Sequence, residues 1–232
     1  MEMQLLTPEL ILAAYARGLF PMADHAEAKE IYWYDPELRG QLPIAALHIP
    51  KKLRKFLRKS PYHVTFDSAF SDVISGCAAS ASGREETWIN NTIRDVFESL
   101  YWAGHAHSVE VWHNADLVGG LYGLSLGGAF FGESMFSTAD NASKVALVYL
   151  AAHLHAQGFT ILDTQFVNDH LKQFGVYEIP RQDYMEKLSK ALALDTQFVP
   201  SRGGSSVFGA AVSFEPDMDV LETFLQSTTQ TS

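Results

Sequence analysis

The chain has 232 residues, 47% of them apolar, which suffices for a real core in one large domain or in a small domain beside a larger one. Its one cysteine, Cys77, excludes an internal disulfide framework and a cysteine-rich zinc site; MEMQLLTPEL shows no basic-then-apolar leader, and no apolar run reaches about 18 residues, so a cytoplasmic protein without a membrane span is expected. The formal net charge is −10, yet KKLRKFLRK at 51–59 holds six of the 17 Lys and Arg residues and no acid, leaving 11 basic against 27 acidic groups elsewhere; this excludes indiscriminate coating of nucleic acid and makes the stripe a local address for phosphates.

TPELILAAYARG (7–18) reads as a short helix, with Thr7 as N-cap, Pro8 at the first position, Glu9 in the first turn and Gly18 as the stop. Residues 19–44 carry three prolines and the aromatic cluster Tyr32, Trp33 and Tyr34, a pattern of short strands and turns. The basic helix follows, with Leu53, Phe56 and Leu57 on its inner side, and Ser60-Pro61 ends it. A boundary near residue 62 therefore separates a small N-terminal domain (1–62) from a larger one (63–232).

YHVTFDS (62–68) alternates like a strand, and a helix is expected near Ala69–Ala79, before the polar loop 80–86. In 87–104, Ile93, Val96, Phe97, Leu100 and Tyr101 recur at helical spacing up to Gly104. HSVEVWH (107–113), LVGGLYGLSL (117–126) and AFFGESMF (129–136) are joined by Asn114-Ala115-Asp116 and Gly127-Gly128, the turn chemistry of an antiparallel meander. A helix at 141–157, a strand at 159–165, a short helix at 168–175 and an edge-like strand at 177–184 follow, and the tail from about Ala210 reads as loosely packed, with 227–232 disordered. The class is α+β.

A meander, a helix packed over it and one more strand is the layout of the N-acetyltransferase-like fold, the acyl-CoA N-acyltransferase type, with a central, largely antiparallel sheet. Members that use coenzyme A place a glycine-rich loop before the long helix, where free amides meet phosphate. Here that turn is FSTADNASK, without glycine, which disfavours coenzyme A and leaves no cofactor expected. Asp163 and Gln165, at i and i+2 of one strand, are expected to project side by side, a carboxylate and a carboxamide suited to an amine or an ester rather than a metal. The pairs His105/His107 and His153/His155 lack converging partners, so no metal site is expected. Cys77 reads as a small buried hydrophobe.

AYARGLFP (14–21), YWYDPELRG (32–40), the segment 47–78, TWI (87–89), GHAHSVEVW (104–112), LVGGLYG (117–123), FFGESMFS (130–137), NASKVAL (141–147), LDTQFVNDHLKQFG (162–175) and EIPRQDY (178–184) together resemble the bacterial leucyl/phenylalanyl-tRNA–protein transferase family, over about residues 5–190. The resemblance implies transfer of Leu or Phe from aminoacyl-tRNA to proteins with N-terminal Arg or Lys, marking them for degradation by the N-end rule, carried out by a monomer. A related aminoacyltransferase with another donor or acceptor preference, or a tRNA-binding module without catalysis, is the alternative.

Residue by residue, the resemblance assigns Glu133 to the donor's α-ammonium and Asp163 and Gln165 to the reacting ester and amine, with Asn168 beside them. Asp163 is a general base or an orienter; both stay open. Leu121, Met135, Leu150 and Leu162 fall on the family's side-chain pocket, and Met suits an irregular one. Trp88 matches a residue that stacks the terminal adenine, whereas Met22 stands where the family usually has a second Trp. Lys51, Lys52, Arg54, Lys55, Arg58 and Lys59 are the candidate tRNA contacts.

Overall fold

The computed structural model describes residues 6–79, 87–199 and 218–228. Thr7 accepts a hydrogen bond from the Leu10 amide at 3.3 Å and opens α1 (Pro8–Tyr15) where the sequence predicts. β1 (Phe20–Met22) and β2 (Tyr32–Tyr34) form a small antiparallel ribbon. β3 (Leu38–Leu42) and α2 (Lys51–Leu57) come next, then β4 (His63–Phe66), α3 (Phe70–Ala78) and α4 (Asn91–Trp102), the last capped by Asn90. The expected meander forms as β5 (Ala106–His113), β6 (Asp116–Leu126) and β7 (Ala129–Ser137). It leads to α5 (Ala142–Gln157), β8 (Ile161–Gln165), α6 (Asp169–Lys172) and β9 (Tyr177–Pro180), with α7 (Arg181–Leu192) and α8 (Met218–Ser227) closing the described chain.

The main sheet runs β4-β5-β6-β7-β8-β3-β9, antiparallel throughout except for the β7–β8 pair. The α+β class holds. β3 and α2 both come from the first 62 residues, yet β3 sits between β8 and β9, and Leu53 and Leu57 of α2 pack into the same core as Val64 and Leu121. Alternation along the strands divides the interior in two: Leu121, Phe130 and Leu162 face one layer, while their neighbours Tyr122, Phe131 and Ile161 face the other. α5 is buried on every side from Val145 to Leu154, as expected of a helix held between the sheet and α8. Its start lies against bare backbone: a Cβ on Gly119 would come within 2.6 Å of the Ala142 methyl.

Two expectations change. The edge-like strand at 177–184 ends at Pro180, and α7 begins at the next residue because Tyr184, Leu188 and Ala191 form a buried i, i+4, i+7 stripe. The tail contains α8, whose Leu221, Phe224 and Leu225 are buried and pack against α5, and Thr228 is buried as well. Residues 210–217 and 229–232 lie outside the described residues, as does the loop 80–86.

Glu110 on β5 is fully buried, accepting from the Ser108 and Thr65 hydroxyls at 2.5 and 2.6 Å, and burial raises its pKa to about 7 despite those bonds. A carboxyl with a folded-state pKa above its unfolded value contributes stability that is full at low pH and lost as pH rises, here between about 4.5 and 7. Glu110→Gln is therefore expected to gain stability relative to the native chain as pH rises through that window, by up to about 3 kcal/mol. Parallel urea melts at pH 5 and pH 8 check this; a difference between the two proteins that does not change with pH refutes it.

Candidate functional site

A cavity of about 640 Å³ opens between β6, β7, β8, α5 and α6. Leu121, Met135, Leu150 and Leu162 all line it, as do Glu133, Gln165 and Asn168. Seven residues singled out from sequence, spread over 121–168, thus converge on one space. The reason is topological: β6 and β7 are hairpin neighbours, β8 returns parallel to β7, and α5 crosses over them.

Glu133 is half-buried at this cavity, and the Tyr15 hydroxyl donates to its Oε1 at 2.8 Å. Burial raises its pKa to about 8; the Tyr15 bond and the Arg39 charge oppose this, and the Asp163 charge adds to it. Glu133 is therefore mostly neutral at pH 7.

Asp163 is wholly buried and does not line the cavity. The Nε of Arg39 lies 3.0 and 2.9 Å from its two carboxylate oxygens, and the Arg39 Nη2 stands 2.9 Å from Oδ2. The Tyr184 hydroxyl donates to Oδ2, and the Gln165 amide donates to Oδ1 at 2.7 Å. Arg39 itself is held by Gly18 O at 2.8 Å and by the rings of Phe20 and Tyr184, 4.6 and 4.7 Å from its guanidinium carbon. Burial, then the Asp163 charge, raises the Tyr184 pKa far above its ordinary value, so Tyr184 is a fixed donor.

The expected side-by-side projection of Asp163 and Gln165 does not occur. Gln165 sits at φ 56, and the Phe166 amide bonds back to Thr164 O at 2.6 Å, so strand alternation ends in a three-residue turn. The left-handed backbone turns Gln165 to the cavity, where its Nε2 is buried without a protein partner. Gly40 pairs with Gln165, and a Cβ there would lie 2.9 Å from the Phe166 carbonyl carbon, so only glycine leaves room for the turn. Asn168 is exposed and caps α6 by accepting from the Leu171 amide at 2.9 Å.

Met22 and Trp88 do not line the cavity; both pack against the core layer beneath α1, α3 and α4. Lys51, Lys52 and Lys55 on α2, and Arg58 and Lys59 just past its end, are exposed. Arg54 is half-buried and donates to Leu225 O and, at 3.2 Å, to the Thr228 hydroxyl, while Arg58 stands 3.8 Å from Glu222. Tyr62, beside Phe56 of α2, donates to Asp140 O at 2.9 Å and ties the basic helix to the turn that opens α5. Among the described residues no cluster of His, Cys, Asp or Glu is arranged to hold a metal.

Sequence reasoning passed over Arg39, Tyr184 and Tyr15 as site residues. The only local signal for them is membership of YWYDPELRG, RQDY and AYARG, because their partners lie up to 124 residues away.

The family model described as leucyl/phenylalanyl-tRNA protein transferase matches residues 41–189, and that of the family's N-terminal domain matches residues 4–37. Two strains of Caulobacter vibrioides carry proteins named leucyl/phenylalanyl-tRNA–protein transferase that are 56% identical over 200 residues, 86% of this chain and 92% of theirs. A protein of the same name from Afipia carboxidovorans is 51% identical over 207 residues, 89% of this chain and 91% of its own. Two models matched in order along the chain, with relatives this similar over most of their length, leave one assignment: the chain belongs to the leucyl/phenylalanyl-tRNA protein transferase family.

Proposed function

We propose that this cavity is where Leu or Phe, esterified to tRNA, passes to the N-terminal amine of a protein beginning with Arg or Lys, marking it for N-end-rule degradation. One observation carries the reading: Leu121, Met135, Leu150 and Leu162 form the apolar wall of the same space that holds Glu133 and Gln165. The wall takes the side chain, and Glu133 takes the α-ammonium of the donor. The ester is already activated, so no covalent nucleophile is required: the incoming nitrogen attacks the carbonyl carbon, the C–N bond forms and the bond to the ribose oxygen breaks. Gln165 Nε2, which has no partner in the protein, donates to the oxygen that becomes negative, a contact worth about 3–4 kcal/mol in comparable sites.

Asp163 acts as an orienter in this reading. Both its oxygens already accept hydrogen bonds from Arg39, Tyr184 or the Gln165 amide, so it holds the left-handed turn that presents Gln165. Asn168, at the start of α6, borders the path of the acceptor. Trp88, half-buried, is assigned to the terminal adenine, with Met22 close-packed where a second ring would stand. The scaffold is of the acyltransferase type, supported by the antiparallel meander and the parallel β7–β8 pair joined through α5. The protein acts in the cytoplasm as a monomer, and no helix of the described residues is long and apolar enough to cross a membrane.

The test is single-turnover transfer from Leu-tRNA, Phe-tRNA and other aminoacyl-tRNAs to peptides beginning with Arg, Lys, Asp or Glu. Transfer of Leu and Phe to the Arg and Lys peptides is expected, and transfer confined to the acidic peptides refutes the acceptor assignment. In the same assay Met135→Ala should impair Leu more than Phe, by about 1–3 kcal/mol in kcat/KM, because the smaller side chain leaves the enlarged pocket less filled. Equal losses would remove Met135 from the specificity pocket.

The basic helix docks the tRNA backbone. Reversing Lys51, Lys52, Lys55 and Lys59 to Glu, with Arg54 kept for its bonds to the C-terminal segment, should weaken Phe-tRNA binding and flatten its salt dependence. Filter binding between 50 and 200 mM salt checks it; an unchanged slope leaves α2 an ordinary solvated face.

A further inference from the structure

We propose that His170 accepts the proton released by the attacking amine and passes it to the departing ribose oxygen; this rests on the cavity being the transfer site. The ammonium first gives one proton to solvent; peptide-bond formation from the ester and the resulting neutral amine must then move one proton off the nitrogen and one onto the leaving oxygen. The two other groups suited to the first task are committed. Asp163 is buried beneath Arg39 with both oxygens bonded, outside the cavity lining, and Glu133 is bonded to Tyr15 and matched to the donor's own ammonium.

His170 lines the cavity from α6, five residues beyond Gln165. Its Nε2 is buried and has no partner in the protein. A buried polar atom left unpaired costs stability, so it calls for a function or a visiting partner. Gln165 Nε2 shares both conditions in the same lining, and an ester under attack by an amine supplies both missing partners: a carbonyl oxygen for the carboxamide and an N–H for the imidazole. The surroundings keep the ring neutral. Burial and then the Lys144 charge, from α5, lower its pKa, while Asp169 and Lys172 on its own helix satisfy each other at 2.7 Å. Glu133 on β7 and Tyr122 on β6 are the other titratable groups of the lining; burial pushes the Glu133 carboxyl up to about 8 and the Tyr122 hydroxyl well above its ordinary value, so both are mostly neutral at pH 7. A neutral imidazole at pH 7 can both accept and return a proton.

The experiment is single-turnover transfer from Phe-tRNA to an Arg-initiated peptide by His170→Gln and His170→Ala, with Phe-tRNA affinity measured by filter binding. His170→Gln keeps bulk and hydrogen bonding without basicity, and is expected to slow transfer by about 10²-fold at unchanged affinity. Added imidazole should restore part of the rate of His170→Ala. Full activity of His170→Gln, loss explained by weaker tRNA binding, or no restoration by imidazole overturns the proposal. Glu133→Gln, assayed in parallel, separates the two levels: if it is impaired while the His170 variants are normal, only the proton route is wrong, and if all are normal the cavity is not the transfer site.

Discussion

Gln165→Ala is expected to lower single-turnover transfer by about 10²-fold or more while Phe-tRNA binding stays near normal, because it removes the donor presented to the reacting carbonyl. Asp163→Asn is expected to be slow as well, through a different route. It weakens the acceptor that fixes the Gln165 amide 2.7 Å away, and so loosens the left-handed turn at φ 56. Since one residue acts through the other, the double variant should be hardly slower than Gln165→Ala alone, a non-additivity that rapid-quench transfer measurements would display directly. Strictly multiplicative losses would mean that Asp163 handles substrate by itself, against its absence from the cavity lining.

The second large effect concerns stability. Arg39 and Asp163 are 1% and 0% exposed, and removing one partner strands the other charge in the interior. Arg39→Met is accordingly expected to cost about 3–5 kcal/mol, on the order of 10 °C in Tm for a chain of this size. Pairing it with Asp163→Leu should recover much of the stability, since neither charge then lies unpaired, yet transfer should remain lost because the Gln165 turn has no anchor. Calorimetry and the transfer assay on the same preparations separate the two. A loss below about 1 kcal/mol for Arg39→Met would show that the interior around the pair admits water and that the pair holds nothing in place.

What could be read from the sequence was local. Thr7 caps α1, the spacing of Ile93, Val96, Phe97, Leu100 and Tyr101 marks the amphipathic α4, and the turns at 114–116 and 127–128 fold β5 to β7 into a meander, because caps, tight turns and side-chain periodicity act over a few residues. Leu121, Met135, Leu150, Leu162 and Glu133, which share one cavity lining, were singled out through motifs of a family resemblance and by no local pattern. The stripe Tyr184, Leu188, Ala191 lay in the same local register but was masked by Pro180, which favours extended backbone just ahead of it. What only the tertiary structure decided depends on partners distant in the chain: β3 inserting between β8 and β9, Arg39 meeting Asp163 across 124 residues, and Tyr15 reaching Glu133 across 118. No periodicity encodes such meetings, because burying a charge is tolerable only where its counter-charge and hydrogen bonds are buried with it, and which segment supplies them is settled when the sheet assembles. The same holds for Gln165. Strand alternation put it beside Asp163, and the left-handed turn that separates them exists because Gly40, on a neighbouring strand, leaves room for it.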